Sequence, residues 1–179
     1  MSKKLLVTVI SGFLGAGKTS LVQNVLQNQA GARIAVITND RSQGCICCTM
    51  REELLDEVTR LAKTNLFDHL LIESNAVSEP LTLAEIFTFP RAAGAPLSEI
   101  AELDTMVTVL DAKNFFGDYF CGDNLNDREL EVDEDDDRGL SDLLAEQVEF
   151  ANIVVINKID LVTPEDLAQV EGAVRHLNP

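Results

Sequence analysis

The sequence is short of long apolar runs, of positive charge and of cysteines spread along the chain. No apolar run reaches the roughly 18 residues that a membrane-spanning helix requires. The apolar stretch after Lys4 is only six residues long, which is too short for a secretory signal. These two absences predict a protein that stays in the cytoplasm.

The charge balance excludes a second group of functions. Fourteen basic residues stand against thirty acidic ones, and the net charge is -16. A field of that sign repels nucleic acid and anionic membrane surfaces. We therefore expect neither as a partner.

The four cysteines do not form the pattern of a disulfide framework. Three of them, Cys45, Cys47 and Cys48, lie almost together, and only Cys121 is distant. In a reducing compartment such clustering points to metal binding or redox chemistry rather than to structural cross-links.

The residues that are present predict one α/β domain spanning residues 1–179. A hydrophobic content of 46% in 179 residues is enough to bury a core. Five short apolar runs alternate with helical patterns and read as buried parallel strands: Leu5–Ile10, Ile34–Ile37, Leu70–Ile72, Met106–Leu110 and Ile153–Ile156. Such alternation predicts a three-layer sandwich around a mainly parallel sheet, with ligands beyond the carboxyl ends of the strands.

Helix signals and loop signals divide the remainder of the chain. Thr49 with Glu52 has the spacing of a capping box, and Thr163 before Pro164 predicts the start of the last helix. Segments 88–97 and 122–139 are predicted to be loops, the second strongly acidic. Apolar residues at helical spacing give three helices one buried face each: Leu21, Val22, Val25 and Leu26; Leu140, Leu143, Leu144 and Val148; Leu167, Val170, Val174 and Leu177.

A phosphate-binding loop follows the first strand. Residues 12–19 read Gly-Phe-Leu-Gly-Ala-Gly-Lys-Thr, which is the Walker A pattern between a predicted strand and a predicted helix. An ordinary tight turn is the alternative interpretation. In the functional interpretation backbone N–H groups hold the phosphates, Lys18 reaches the terminal phosphates and Thr19 binds magnesium. The predicted nucleotide contacts are Gly12, Gly15, Ala16, Gly17, Lys18, Thr19 and Ser20.

An acidic residue at the end of a neighbouring strand completes the magnesium side of the predicted site. Glu73 ends the run His-Leu-Leu-Ile-Glu. A carboxylate there can hold a magnesium-bound water or orient the attacking water, and the sequence leaves both roles open. The alternative is a surface acid without a role.

A base-recognition motif follows the last predicted strand. Asn157-Lys158-Ile159-Asp160 is the NKxD signature of guanine-specific P-loop proteins. An aspartate accepts hydrogen bonds from the N1–H and amino group of guanine, whereas adenine presents a lone pair at N1. Asn157 braces the loop and Lys158 lies along the base plane in this interpretation. A chance turn is the alternative.

The three clustered cysteines predict a zinc site. Cys45, Cys47 and Cys48 precede a predicted helix N-terminus, where thiol pKa values fall and metal binding is favoured. Three thiolates leave a tetrahedral zinc ion one open position, which suits transfer. Buried small residues or a redox switch remain the alternatives.

With these motifs in this order, the chain resembles the CobW family of GTPase metallochaperones. The resemblance rests on Ser-Gly-Phe-Leu-Gly-Ala-Gly-Lys-Thr, Gly-Cys-Ile-Cys-Cys-Thr, Glu-Ser-Asn-Ala-Val-Ser-Glu-Pro and Asn-Lys-Ile-Asp, and it runs the full length. It is strongest to the branch associated with zinc limitation. It implies a GTPase that uses GTP, Mg²⁺ and Zn²⁺ and delivers metal to a client protein.

Three departures from the family pattern bear on these expectations. Only three residues separate Asp40 from Gly44, where the family has a much longer segment that includes switch I. Ala76 stands where the family has a switch II glycine, so turnover is predicted to be slow if the backbone there needs a positive φ. The family also continues beyond the position of Pro179 into a second domain.

Three functional hypotheses therefore go forward from the sequence. The leading one is a GTP-hydrolysing zinc metallochaperone. The second is a P-loop phosphotransferase, which would not predict the NKxD motif. The third is a nucleotide-gated zinc sensor or buffer that hydrolyses little GTP.

Overall fold

The computed structural model describes residues 4–29, 31–38, 51–88, 97–128, 130 and 138–179. Its strands are β1 (Leu5–Ser11), β2 (Ile34–Thr38), β3 (His69–Glu73), β4 (Ala101–Asp111) and β5 (Ile153–Asn157). Its helices are α1 (Lys18–Gln27), α2 (Arg51–Thr64), α3 (Pro80–Thr88), α4 (Phe115–Tyr119), α5 (Leu140–Glu149) and α6 (Pro164–Leu177).

All five predicted strands are confirmed, and they form one parallel sheet in the order β2-β3-β1-β4-β5. The central strand β1 pairs with β3 and β4, so Ile10 lies opposite Glu73 and Ser11 opposite Thr108. At the far edge Asp111 of β4 lies opposite Asn157 of β5. The residues that follow β1, β3, β4 and β5 therefore converge on one end of the sheet.

Helices cover both faces of the sheet, as the alternating pattern predicted. One face, with Ile10, Leu71 and Val109, packs on α1 through buried Val22 and its apolar neighbours. The other face packs on α2 and α3 near β1 and on α6 near β5. The predicted apolar face of α5 is buried as well, and Leu140, Leu143, Leu144 and Val148 are each at most 2% exposed.

Local signals set the boundaries of α6. The Thr163 hydroxyl accepts from the Asp166 N–H, and the Asp166 carboxylate accepts in return from the Thr163 N–H. Beyond the helix, the Asn178 amide donates to the carbonyls of Val148 and Ala151 at 2.7 and 2.8 Å. Asn178 thus ties the end of α6 to the carbonyl groups at and just beyond the end of α5.

Part of the predicted acidic loop has defined structure. Asn124 forms a bridge with Gly139, and a 3-10 turn spans Asn126–Arg128. The Arg128 guanidinium donates to Asp123 at 2.6 Å, so the first part of the segment is held by an ion pair. The predicted capping residue Thr49 and most of segment 88–97 lie outside the described residues.

No helix in the described part of the chain is long and apolar enough to cross a membrane.

Candidate functional site

The Walker A loop lies between the central strand and α1, where the sequence predicted it. Gly12, Gly15 and Gly17 all have positive φ, which only glycine adopts without strain. A Cβ on Gly12 would overlap the Val109 carbonyl, and one on Gly17 would overlap the Asn157 side chain. The loop thus needs glycine both for its conformation and for its close approach to β4 and β5.

The ammonium of Lys18 points back along the loop. It donates to the carbonyls of Gly12 and Phe13 at 2.7 and 3.2 Å. These contacts hold the cation against the start of the loop, and Lys18 also lines the cavity described below.

Thr19 and Glu73 meet at the predicted magnesium side. The Thr19 hydroxyl donates to Glu73 Oε1 at 2.6 Å, although the two residues are 54 positions apart. The pairing of β1 with β3 makes this contact possible, because it brings the end of β3 beside the start of α1. Hydroxyl and carboxylate oxygens are the ligands that Mg²⁺ takes in phosphate sites, so the residues present fit that ion.

A cavity of about 480 Å³ opens over this pair, which is within the range of small-molecule sites. One wall is the Walker A loop with Lys18, Thr19 and Ser20. The opposite wall is segment 73–76, which follows β3. The predicted phosphate loop and the predicted magnesium-side acid Glu73 therefore line one cavity.

The base motif lies directly against the phosphate loop. The Asn157 amide donates to the Ala16 carbonyl at 2.8 Å, across 141 residues of sequence. Ala16 is buried, and its N–H closes a turn on the Phe13 carbonyl. Asn157 therefore braces the Walker A loop, a contact that the sequence motif alone did not specify.

Lys158 has a partner that sequence reasoning missed. Its ammonium forms a 2.6 Å ion pair with Asp111, the last residue of β4. Asp111 also accepts hydrogen bonds from the Asn114 amide and the Lys113 N–H at 2.8 and 2.9 Å. The position of Asp111, an acid that ends a buried strand, is the same signal that identified Glu73.

These contacts determine the charge of Asp111. Burial by itself would raise the pKa of its carboxyl, but hydrogen bonds from Lys158, Asn114 and Lys113 outweigh that effect and hold the pKa below its usual range. Asp111 is therefore ionised at neutral pH. The backbone of Lys158 has a left-handed φ of 59°, and its side chain is fixed by the ion pair with Asp111.

Asp160 lies in the short 3-10 turn that follows Lys158 and is exposed. The Leu161 N–H closes the turn on the Lys158 carbonyl at 3.0 Å. The carboxylate is therefore accessible to a ligand, and its role as the acceptor for guanine stays a prediction.

Ala76 does not have the backbone strain that a positive φ at this position would cause. Outside glycine, only Asn65 and Lys158 have positive φ among the described residues. Ala76 has no positive φ, so the condition under which slow turnover was predicted is not met. Ala76 is instead buried, and its carbonyl accepts a hydrogen bond from the Gln147 amide.

The predicted zinc ligands Cys45, Cys47 and Cys48 lie outside the described residues. Within the ranges that are described, no three His, Cys, Asp or Glu side chains are grouped to hold a metal ion. Cys121 is exposed, and its thiol donates to the Asp118 carbonyl at 3.0 Å.

Comparison with known proteins begins with the curated relatives. The chain is 42% identical over 211 aligned positions to zinc-regulated GTPase metalloprotein activator 1 of Dictyostelium discoideum, covering 99% of this chain and 44% of that protein. It is 30% identical to the zinc chaperone CobW of a Sinorhizobium species, covering 96% of this chain and 55% of the relative. The chain thus spans about half the length of these relatives.

Solved structures with similar folds support the same architecture. A Zn(II)-bound triple mutant of the YjiA GTPase superposes with a TM-score of 0.66 at 22% identity, over 97% of this chain and 54% of that one. The hydrogenase maturation factor HypB from Archaeoglobus fulgidus gives a TM-score of 0.52 at 16% identity, over 99% and 76%. At these identities the likeness establishes the P-loop α/β fold alone.

The family assignment rests on a match that covers nearly the whole chain. Residues 6–43 and 41–179 match the family described as CobW/HypB/UreG, nucleotide-binding domain. The matched ranges hold the Walker A loop, Glu73 and the Asn157 loop, whose contacts are given above. This chain belongs to the CobW/HypB/UreG nucleotide-binding domain family.

Proposed function

We propose that residues 1–179 form a cytoplasmic GTPase domain that binds GTP with Mg²⁺, hydrolyses it, and couples its nucleotide state to the transfer of zinc to a client protein. The names of the relatives, a zinc-regulated GTPase metalloprotein activator and a zinc chaperone, support this proposal.

One observation carries the nucleotide part of the proposal. The hydrogen bond from Asn157 to the Ala16 carbonyl ties the base motif to the phosphate loop, so the two ends of one nucleotide can be held by adjacent elements. Neither a tight turn at Gly12 nor a chance turn at Asn157 would require this bond. The bond therefore favours a guanine nucleotide site over two unrelated turns.

Each group of site residues has a separate role in the proposed hydrolysis. Backbone N–H groups of residues 15–20 bind the phosphates, and Lys18 neutralises charge on the terminal phosphate. Thr19 and Glu73 hold the magnesium side, where the ion would neutralise charge that develops on the phosphate oxygens. Residues 74–76 line the same cavity, on the side from which a nucleophilic water would attack in line.

The zinc part of the proposal rests on Cys45, Cys47 and Cys48. Three thiolates with an open fourth position can accept a metal ion and release it. The helix that follows, α2, has Glu52 and Glu53 in its first turn. The cysteine segment directly precedes α2 in the sequence. A movement of α2 would therefore alter the geometry of the three thiolate ligands.

We further propose that the switch I segment is missing from this sequence near residues 40–44 by omission rather than by a native shortening, because hydrolysis needs the contacts that switch I makes to magnesium and the terminal phosphate. The family match falls into two ranges that meet at residues 41–43. In addition, the alignment with the Dictyostelium relative runs over more positions than this chain has residues. Both observations support a segment present in relatives and absent between Asp40 and Gly44.

Competition binding tests the nucleotide assignment. A labelled GTP analogue bound to the protein should be displaced by GTP much better than by ATP, because Asp160 would face an unpaired lone pair on adenine at a penalty of roughly 1 to 3 kcal/mol. Equal displacement by GTP and ATP contradicts the guanine assignment.

A substitution that changes the preferred base makes this test more specific. Asp160→Asn should shift preference from GTP towards xanthosine triphosphate, because the amide donates where the carboxylate accepted. Asp166→Asn provides the control, since Asp166 lies in the cap of α6 and outside the base loop. Phosphate release measured with and without zinc then separates a GTP-hydrolysing chaperone from a sensor that hardly turns over.

A further inference from the structure

Gln147 is a buried polar residue on the apolar face of α5. Its side chain is fully buried beside Leu143, Leu144 and Val148. One end of its amide is paired, since Nε2 donates to the Ala76 carbonyl at 2.9 Å. The other end, Oε1, is buried with no hydrogen-bond partner among the described residues.

Packing alone does not account for glutamine at this position. A buried amide oxygen without a partner costs free energy, which leucine or methionine of similar volume would avoid. The four apolar residues on the same face already supply the contacts between α5 and its surroundings. The function of the amide is therefore the single bond that it makes, to Ala76.

The backbone of Gln147 is fixed to the strands that carry the phosphate loop. The Thr108 hydroxyl donates to the Gln147 carbonyl at 2.5 Å. Because its one proton is used there, Thr108 accepts from the Ser11 hydroxyl, which lies 2.8 Å away. Ser11 is the last residue of β1 and precedes the Walker A loop, so Gln147 is a rigid point relative to that loop.

The segment that Gln147 contacts forms a wall of the phosphate cavity. Ala76 and its preceding residues line the cavity opposite Lys18 and Thr19. Ala76 and Val77 pack in one cluster with Phe13 of the Walker A loop and with Leu143 of α5. A second polar contact supports the far end of the segment, where Arg138 donates to the Val77 carbonyl and to Glu79 at 3.3 and 2.9 Å.

We propose that Gln147 is a positioning residue for hydrolysis, which sets segment 74–79 against the phosphate cavity through its amide bond to the Ala76 carbonyl. The proposal rests on the proposed GTPase function and goes beyond it, because Gln147 does not line the cavity. Gln147 acts on the hydrolytic step and leaves nucleotide binding to the Walker A loop and the Asn157 loop.

The test is Gln147→Met in the full chain, with Gln169→Met on the exposed surface of α6 as the matched control. The methionine keeps the volume, removes the unpaired oxygen and leaves the Ala76 carbonyl unpaired, so we expect little net change in melting temperature. Single-turnover hydrolysis of bound GTP should slow by about tenfold or more, since small misplacement at a reacting centre costs that much. The dissociation constants for GTP and GDP should stay within about twofold of the wild-type values.

Slower hydrolysis at unchanged nucleotide affinity is the readout that a purely structural role would not produce, and hydrogen exchange locates the structural cause. Amides of segment 74–79 should exchange faster in Gln147→Met, while those of β1 and β4 keep the wild-type rate. If the methionine variant does not fold, Gln147→Leu is measured in the same way. A folded variant with wild-type hydrolysis and exchange overturns the inference alone, and so does faster exchange throughout the sheet. A wild-type protein that binds GTP but releases no phosphate overturns the proposed GTPase function and this inference with it.

Discussion

The Asp111 carboxylate lies 2.6 Å from the Lys158 ammonium and joins the end of β4 to the base motif after β5. Replacing Asp111 by asparagine removes the charge and keeps the shape. We expect affinity for GTP and GDP to fall by the same factor, about tenfold, because the lost contact is on the base side and not at the terminal phosphate. Isothermal titration with both nucleotides measures this.

The same variant has a distinct dependence on pH. The folded protein holds the pKa of Asp111 below its ordinary value of 3.8. The stabilisation from the ion pair is therefore complete above that value and is lost as pH falls through the folded pKa. Wild type should exceed Asp111→Asn in unfolding free energy by about 1 to 3 kcal/mol at neutral pH, with a narrowing difference in acid. Asp104→Asn, at the exposed start of β4, should show neither effect.

Gly17→Ala tests the close approach of the two motifs. The new Cβ would overlap the Asn157 amide, and the φ of 106° is unfavourable for alanine. Displacing Asn157 breaks its bond to Ala16, so we expect nucleotide affinity to fall by at least about tenfold. Fluorescence titration with a labelled GDP analogue provides the measurement.

Gly31→Ala is the control that separates the backbone strain of alanine at a positive φ from the contact with Asn157. Gly31 also has a positive φ, of 88°, but a Cβ there meets no atom within 4 Å. We expect a stability loss of about 1 kcal/mol and unchanged nucleotide affinity. Equal affinity losses in both variants would show that general strain, and not the Asn157 contact, is responsible.

Lys18→Ala should sharply weaken binding of nucleoside triphosphate while the fold survives. Lys18 is a cation of the phosphate loop in a protein of net charge -16, and its ammonium donates to the loop carbonyls of Gly12 and Phe13. Circular dichroism checks the fold and equilibrium binding checks the affinity. A folded variant with wild-type affinity for GTP is incompatible with the phosphate-loop assignment.

Zinc affinity should differ between the GTP-bound and GDP-bound forms of the full-length protein. The cysteine segment precedes α2. If GTP changes the affinity for zinc by some factor, linkage requires that zinc change the affinity for GTP by the same factor. Such a factor typically corresponds to a coupling free energy of about 1 to 3 kcal/mol. Titration of zinc against a competing chelator, with a non-hydrolysable GTP analogue, with GDP and without nucleotide, measures the difference. Identical affinities in the three states would mean independent sites.

Serine variants locate the metal. Replacing Cys45, Cys47 and Cys48 together should abolish tight zinc binding and spare nucleotide binding, because a hydroxyl is a poor zinc ligand at neutral pH. Cys121→Ser is the control, since this exposed thiol lies in a separate loop. Unchanged zinc stoichiometry in the triple variant would move the site elsewhere.

The five strands, the apolar faces of α1, α5 and α6 and the start of α6 were predictable from the sequence, because each depends on local periodicity or on a cap of a few residues. The Walker A loop was predictable for the same reason, since its glycines and lysine are contiguous. Glu73 was identified by its place at the end of a strand, and the structure brings it to the Thr19 hydroxyl.

The contacts that join these segments were not predictable. Asp111 carries the same strand-end signal as Glu73, but its relevance depends on the pairing of β4 with β5. Gln147 interrupts an otherwise apolar helix face, and nothing local indicates that Ala76 is its partner 71 positions away. Partners at such separations are determined by strand order, which a single sequence specifies only through the completed fold.

The order of the strands also bears on how a bound nucleotide would leave. The phosphate loop follows the central strand β1, which has neighbours on both sides. The base motif follows β5, which pairs only with β4 among the described residues and whose Ile153 is 51% exposed. Elements with few buried contacts open locally at lower free energy than strands of the core. We therefore expect the route of nucleotide release to begin with loosening at the guanine end, while the phosphates remain anchored to the most protected strand of the domain.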